Sequence, residues 1–279
     1  AMTSRPVHSR PEDDPDAWPV GAVEIVTGAR LHFGLLTHRP ESGREFGGLG
    51  VMINSPGWTI RVARLTSASD DEFDLTSTVF AACPDLAVKC RAVLNRWRST
   101  TEDRRGDELR NAAYRIGIRS AIPSHRGLGS GTQLALALAR AVELLESNSD
   151  PAHDNSPARN NNTAAVSSEP SCGMSVLARR SGRGLRSAVG TWGFEQGGLI
   201  VDGGKRPQDE VGTLIARIAF PADWRFVLIA PKSGAGISGE AEVAAFRDLP
   251  GMSGDTTRQL TAIALMRLLP AIRDADFDE

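Results

Sequence analysis

Ile122-Pro-Ser-His-Arg-Gly-Leu-Gly-Ser-Gly-Thr-Gln-Leu-Ala-Leu-Ala-Leu-Ala-Arg-Ala-Val-Glu-Leu-Leu145 runs from a strand end through a glycine-rich turn into a long apolar helix. Ser130 followed by Gln133 fits the capping-box spacing, and Leu134, Leu138, Ala141, Val142 and Leu145 recur on one helical face. Gly127, Gly129 and Gly131 carry no Cβ, so the turn can aim backbone N–H groups at one point. That point is a helix N-terminus, where donors without helical acceptors and the positive dipole end attract phosphate. The stretch therefore predicts a phosphate cradle made of Arg126, Gly127, Leu128, Gly129, Ser130, Gly131 and Thr132. A plainer reading stays open: a strand–turn–helix connection whose glycines serve packing alone, with Ser130 spent on capping. Neither familiar nucleotide loop fits. Gly204-Lys205 has no glycine at position 199 and is followed by Arg206, and the glycines of this turn, at 127, 129 and 131, do not have the G-x-G-x-x-G spacing.

Working outward, Val23–Thr27, Arg30–Leu36, Gly50–Ile53 and Trp58–Arg64 read as short β-runs. Pro84–Arg98 reads as an amphipathic helix with Leu86, Cys90, Val93 and Trp97 inward. Tyr114, Ile116 and Ile118 alternate as a half-buried strand, and Gly173–Arg180 reads as a short helix. Thr191–Asp202 and Trp224–Ala230 look strand-like, while Gly239–Leu249 and Thr256–Leu269 look helical, the second ended by Pro270. Elements do not alternate as long βαβ units, so an α+β class is expected. Residues 1–20 are rich in Pro, Asp and Arg and are expected to be a disordered or loosely attached segment. Residues 147–171 have no apolar period and are expected to be a mobile insertion.

The chain has 279 residues, 32 basic and 34 acidic, for a net charge of −2, so nothing points to nucleic acid as a partner. Arg30, Arg39, Arg44, Arg119, Arg126, Arg183 and Arg186 nevertheless lie in or beside the glycine-rich segments, which suits a small anionic ligand. Cys83, Cys90 and Cys172 match no zinc spacing. Without a signal peptide or a long apolar span, a soluble cytoplasmic protein that avoids membranes is expected.

Pro123-Ser-His-Arg-Gly-Leu-Gly-Ser130 resembles the second motif of the GHMP kinase superfamily, with Gly131 where relatives usually have serine. Five further segments, in order, narrow the resemblance: Ala29–Leu36, Phe46–Ile53, Gly182–Gly190, Gly193–Gly204 and Pro231–Glu240. Together they are similar to the beta-ribofuranosylaminobenzene 5′-phosphate synthase family, from about residue 22 to 247. The resemblance implies a GHMP kinase-like α+β domain over 21–230 and a ferredoxin-like C-terminal domain, here incomplete over 231–279. Family members carry a third glycine-rich motif that this chain lacks, which leaves its activity open.

The resemblance also implies a pentosyl transferase of methanopterin biosynthesis. It would join phosphoribosyl pyrophosphate to 4-aminobenzoate or 4-hydroxybenzoate, releasing pyrophosphate and CO2 with Mg²⁺ as cofactor. A homodimer is left open. Candidate catalytic residues are Arg30, His32, Arg183, Arg186 and Glu195, with Lys232 beside the phosphates. Glu195 and Asp202 are the candidate metal ligands, because Mg²⁺ prefers one or two carboxylates plus substrate oxygens. Asp202 before Gly203-Gly204 fits a turn equally well, and His32 in a strand fits a structural histidine. Arg30 and His32 are two residues apart, so on a strand they share a face beside the loop. The competing functions are an ATP-dependent small-molecule kinase of the same superfamily and a non-catalytic binder of phosphorylated metabolites.

Overall fold

Two long antiparallel strands organise the chain, whose computed structural model describes residues 2–6, 18–39, 43–66, 69–74, 78–83, 85–100, 111–147, 172–229, 236 and 240–278. Strand β2 (Val23–Leu35) follows the short edge strand β1 (Thr3–Pro6) and pairs along its length with β3 (Gly48–Leu65). Glu24 and Arg61 face each other across this pair and form an ion pair at 2.7 Å, with Glu24 fully buried. β3 is partnered on its other edge in two separate places. β5 (Ala113–Ser120) runs along Thr59–Leu65, and β6 (Leu199–Asp202) runs along Gly48–Val51. The short β4 (Glu72–Phe73) extends the sheet beyond β5, and β7 (Leu214–Ile218) extends it beyond β6.

The divide between those two places positions the site. At this point Asn54, Ser55 and Pro56 bulge out of β3, because Gly28 pairs with Gly57 while the next residue, Ala29, pairs with Ile53. A Cβ on Gly28 would lie 1.9 Å from the Ile53 carbonyl oxygen, so only glycine permits the crossing. β5 leaves the sheet at Ser120, opposite Thr59, and the chain turns there into residues 121–129.

Helices cover one face: α1 (Thr78–Ala82), α2 (Leu86–Ser99), α3 (Ser130–Ser147), α4 (Cys172–Ser181) and α5 (Val189–Gln196). α3 is the central one and packs on β2, β3, α2, α4 and α5. The sequence predicts one apolar face for it, but every residue from Gln133 to Ala139 is buried. The Leu-Ala alternation explains this, since small side chains let neighbours close in on several sides of a helix. Cys90 is buried with Leu86, Val93 and Trp97, as its spacing suggests.

The α+β class holds, and several local expectations need correction. The four short β-runs are two continuous strands, interrupted in pattern only by the glycines and Pro56 of the bulge. Within the segment expected to be loosely attached, Thr3–Pro6 adds a strand to β2. Trp18 there is buried beneath the Arg115 guanidinium, 5.1 Å from its ring centre. Thr191–Asp202 is no single strand: it is the end of α5, two left-handed glycines (Gly197 φ 60°, Gly198 φ 75°) and then β6. A short apolar run with Trp192 and Phe194 fits either periodicity, and burial on all sides made the helix possible. Strand β7 was not anticipated, and the described residues of Trp224–Ala230 form no strand.

Near the C-terminal end lie α6 (Glu240–Asp248), α7 (Gly254–Ile263), a π-helical turn (Ala264–Leu268) and α8 (Leu269–Asp274). Pro270 does not end the helical run, which continues without a gap from Gly254 to Asp274; the π-helical turn Ala264–Leu268 directly precedes it, the kind of local change by which a helix takes in a proline. The insertion expected at 147–171 falls outside the described residues after Ser147 and before Cys172. No helix among the described residues is long and apolar enough to cross a membrane.

Candidate functional site

The glycine turn is held against β2 by its backbone: the Arg30 N–H donates to the Leu128 carbonyl at 3.0 Å. The Leu128 side chain packs on the main core, so this residue anchors the loop at both ends. Gly127 (φ 73°) and Gly129 (φ 71°) are left-handed, a conformation that suits glycine and strains other residues. The Gly129 carbonyl accepts the N–H groups of Thr132 and Gln133, both at 3.1 Å, and so starts the helix. The amides of Ser130 and Gly131 precede these, at the end where a helix offers no acceptor of its own. Trp58 Nε1 donates to the Ser130 carbonyl at 3.0 Å and fixes this end over β3.

The capping-box expectation fails for a physical reason. Gln133 is fully buried; its Oε1 accepts from Thr27 Oγ1 at 2.8 Å and its Nε2 donates to the Gly190 carbonyl at 2.8 Å. Both ends of the amide are committed to β2 and to the start of α5, so it does not fold back on Ser130. The same residue that reads as a cap in the sequence ties three elements together.

Two arginines meet this helix end. Arg30 lies over Gly129, where a Cβ would come 3.2 Å from its Nε, and beside Gly190 and Thr132. Arg183 lies over Gly131, with its Nη2 3.7 Å from the place of a Cβ there. Among the described residues the buried Arg183 Nε has no hydrogen-bond partner. Burial first, then Arg186 and Arg96 nearby, press the Arg183 guanidinium below its ordinary value. A desolvated guanidinium beside two others, at a helix N-terminus, is a place where an anion relieves strain.

Arg183 and Arg186 sit on the turn from Gly182 to Ala188, between α4 and α5. The Arg183 N–H donates to the Ala178 carbonyl at 2.7 Å, and Lys205 Nζ donates to the Gly184 carbonyl at 3.3 Å. Arg186 stacks over Phe246 of α6 at 4.9 Å from the ring centre. Arg126 is half-buried within the turn itself. Lys232 lies outside the described residues.

His32 stands two residues along β2 from Arg30, against Gly48. Its Nδ1 accepts the Gly34 N–H at 3.1 Å and its Nε2 is 3.0 Å from Ser187 Oγ. Burial, with Arg30 beside it, pushes the His32 ring down to about 4. The ring is therefore neutral at pH 7.

The two expected metal ligands are not brought together. Asp202 is 1% exposed and accepts hydrogen bonds from Gly204 N (2.9 Å), Ala188 N (2.5 Å) and Ser187 Oγ (3.1 Å). Burial raises its pKa, although all three bonds pull the other way. Glu195 sits near the far end of α5 and pairs with Arg140 at 3.6 Å. Seven residues of helix, about 10 Å, separate it from Ala188 and hence from Asp202. Among the described residues no group of three or more His, Cys, Asp and Glu side chains is placed to hold a metal. Sequence reasoning missed Ser187 and the bridging role of Gln133. Ser187 lies inside the Gly182–Gly190 segment, where only the arginines drew notice.

The chain resembles known proteins in sequence and in shape. Residues 89–167 match the family model of the GHMP kinases N-terminal domain. The chain is 30% identical to the beta-ribofuranosylphenol 5′-phosphate synthase of Methanothermobacter thermautotrophicus, across 91% of this chain and 71% of that protein. It is 29% identical to the enzyme of the same name from Archaeoglobus fulgidus, across 92% and 72%. Among solved structures, L. major mevalonate kinase superposes with a TM-score of 0.47 at 14% identity, covering 98% of this chain and 73% of that one. Mevalonate pyrophosphate decarboxylase from Streptococcus pyogenes gives 0.45 at 14% identity, covering 92% and 69%.

Proposed function

This chain belongs to the beta-ribofuranosylphenol 5′-phosphate synthase family, and from that premise we propose that it joins a phosphoribosyl group to a benzoate ring. The donor is phosphoribosyl pyrophosphate, and the products are a ribosylated aromatic 5′-phosphate, pyrophosphate and CO2, as a step toward methanopterin. The relatives' name specifies a phenol, which favours 4-hydroxybenzoate over 4-aminobenzoate as the acceptor. The observation that carries the reading is the meeting of Arg30 and Arg183 on a glycine turn at the start of α3. These groups offer fixed positive charge where a diphosphate leaving group gains negative charge.

The chemistry balances without a net proton. The bond from the anomeric carbon to the diphosphate breaks, and its electron pair leaves with pyrophosphate. The ring carbon that bears the carboxylate bonds to the anomeric carbon. The carboxylate then departs as CO2, and the electron pair of that bond restores aromaticity. No general base is required, which agrees with a neutral His32 whose two ring nitrogens are both engaged. In this reading Arg30, the Gly127–Thr132 amides and Arg183 hold the diphosphate, and Arg186 reaches the 5′-phosphate or the benzoate carboxylate. Mg²⁺ would supply further charge neutralisation on the diphosphate, but Asp202 and Glu195 do not fit as its ligands, since their oxygens are spent elsewhere and lie apart.

A second reading, phosphoryl transfer from ATP, is favoured only by the kinase family model over residues 89–167. One experiment separates them: incubation with carboxyl-labelled 4-hydroxybenzoate, phosphoribosyl pyrophosphate and Mg²⁺, beside an arm with ATP in place of the sugar donor. Labelled CO2 released only with the sugar donor is the expected result. Phosphorylated product without the sugar donor would replace ribosyl transfer by the kinase.

A further inference from the structure

We infer that Asp202 and Ser187 are positioning residues, which hold the arginine-bearing turn Gly182–Ala188 and the His32 ring in fixed register beside the phosphate loop, and that Asp202 is not a metal ligand. The inference deepens the ribosyl-transfer reading and rests on it for the identity of the anion.

The hydrogen-bond chain has only one arrangement of protons. The Gly34 N–H can only donate, so His32 Nδ1 accepts it and carries no proton. The neutral ring therefore bears its hydrogen on Nε2 and donates to Ser187 Oγ at 3.0 Å. The Ser187 hydroxyl then has its own hydrogen free to donate to Asp202 Oδ2 at 3.1 Å. A carboxylate only accepts, and Asp202 takes the Ala188 N–H on Oδ2 and the Gly204 N–H on Oδ1 as well. Every donor in the chain has an acceptor, from β2 through the turn to the end of β6.

Steric fit closes the remaining approach. A Cβ on Gly212 would lie 2.4 Å from Asp202 Oδ1, so the segment leading into β7 presses directly on the carboxylate. An Mg²⁺ ion needs about 2.0–2.1 Å contacts and keeps several waters, and a carboxylate with three hydrogen bonds in a packed interior has no place for them. The same three bonds have an evident structural use. Ser187 follows Arg186 directly, and Ala188 is the residue from which α5 starts. Anchoring both on one buried carboxylate fixes where the arginine turn ends, as the Arg183 N–H bond to Ala178 fixes where it begins.

The test uses the full chain and two substitutions, Asp202→Asn and Ser187→Ala. Calorimetry with pyrophosphate alone in chelator, and again with Mg²⁺, reads the anion site directly. Asp202→Asn keeps the shape but puts an amide NH2 or a single acceptor where three donors arrive. We expect at least a tenfold loss of pyrophosphate affinity in chelator, with the further gain from Mg²⁺ unchanged. Wild-type affinity in chelator combined with a lost Mg²⁺ gain would make Asp202 a metal ligand and overturn the inference. Nitrogen-15 NMR on histidine-labelled protein, with His32→Asn to assign the signal, gives a readout independent of any ligand. Wild type should show His32 as the Nε2–H tautomer at pH 7, and Ser187→Ala should keep that tautomer but move the Nε2 signal as its acceptor is lost. A Nδ1–H tautomer in wild type, or an unmoved Nε2 signal in Ser187→Ala, would break the chain as drawn. If wild type fails to bind pyrophosphate while the tautomer result holds, the ribosyl-transfer reading falls and the positioning chain stands.

Discussion

His32 links the local hydrogen bonding of the site to the stability of the whole chain through pH. Its ordinary value is 6.5 and burial beside Arg30 brings it to about 4. Between those values the unfolded chain binds a proton that the folded chain refuses, so stability falls as pH drops from 6.5 toward 4. The contribution is fully present above 6.5 and is lost below the folded value. A shift of this size corresponds to no more than about 3 kcal/mol. Urea unfolding at pH 7.5 and at pH 4.5 should show wild type losing roughly 2–3 kcal/mol more than His32→Asn between the two conditions. Equal losses would assign the titration to another group. Gly129 carries a second prediction at this scale. With φ at 71° and Arg30 3.2 Å from the place of a Cβ, valine there is strained by about 1–3 kcal/mol and displaces the arginine. Gly129→Val should weaken pyrophosphate binding at least tenfold in calorimetry. Gly173→Ala, in open space on α4, should leave it unchanged. Comparable affinity in all three proteins would remove the cradle from the mechanism.

Between elements, Gln133 is the joint. It holds Thr27 of β2 and Gly190 of α5 with one amide, both bonds at 2.8 Å and both buried. Gln133→Leu leaves the buried Thr27 hydroxyl with only its longer 3.4 Å bond to the Gly28 carbonyl and takes one donor from the Gly190 carbonyl, at a cost of about 1–3 kcal/mol in total. Thr27→Val on top of it removes that hydroxyl, so the double variant should recover about 1 kcal/mol of that loss in denaturant unfolding. Simple additivity would show that the Thr27 bond contributes nothing. This joint also marks the limit of what the sequence discloses. The helix Ser130–Ser147, the glycine turn before it and the shared strand face of Arg30 and His32 are legible from spacing, because glycines, periodicity and strand alternation act over a few residues. The partners of Gln133, 106 and 57 positions away, are set by how β2 and α5 pack on α3, which local pattern does not encode. Asp202 and Glu195 were paired by chemistry alone, whereas in the fold Glu195 stands near the end of α5 away from Ala188, to which Asp202 is bonded. Short apolar runs such as Thr191–Asp202 were misread because both periodicities fit until burial on every side is known.

At the scale of the molecule, anion binding must appear as folding stability, because the site is assembled from β2, the loop before α3 and the turn before α5, which come together only in the folded chain. A net charge of −2 gives no general attraction for anions, so any stabilisation reports the local arginines. Pyrophosphate at about a hundred times its dissociation constant should add roughly 2.7 kcal/mol. For a chain of this size that raises the melting temperature by several degrees, on the order of 5–10 °C. Arg30→Leu and Arg183→Leu should each remove most of the shift, since each takes away a guanidinium lying on the turn. Arg258→Leu, exposed on α7 and paired with Asp255, should keep it. Sodium chloride at matched ionic strength separates specific binding from screening, which acts within about 10 Å of any charge at 0.1 M. An equal shift with the salt, or with all three variants, would mean that the arginines do not form the anion site. A larger shift with ATP than with pyrophosphate or phosphoribosyl pyrophosphate would show that a nucleoside contributes binding, and would move the assignment from ribosyl transfer to phosphoryl transfer.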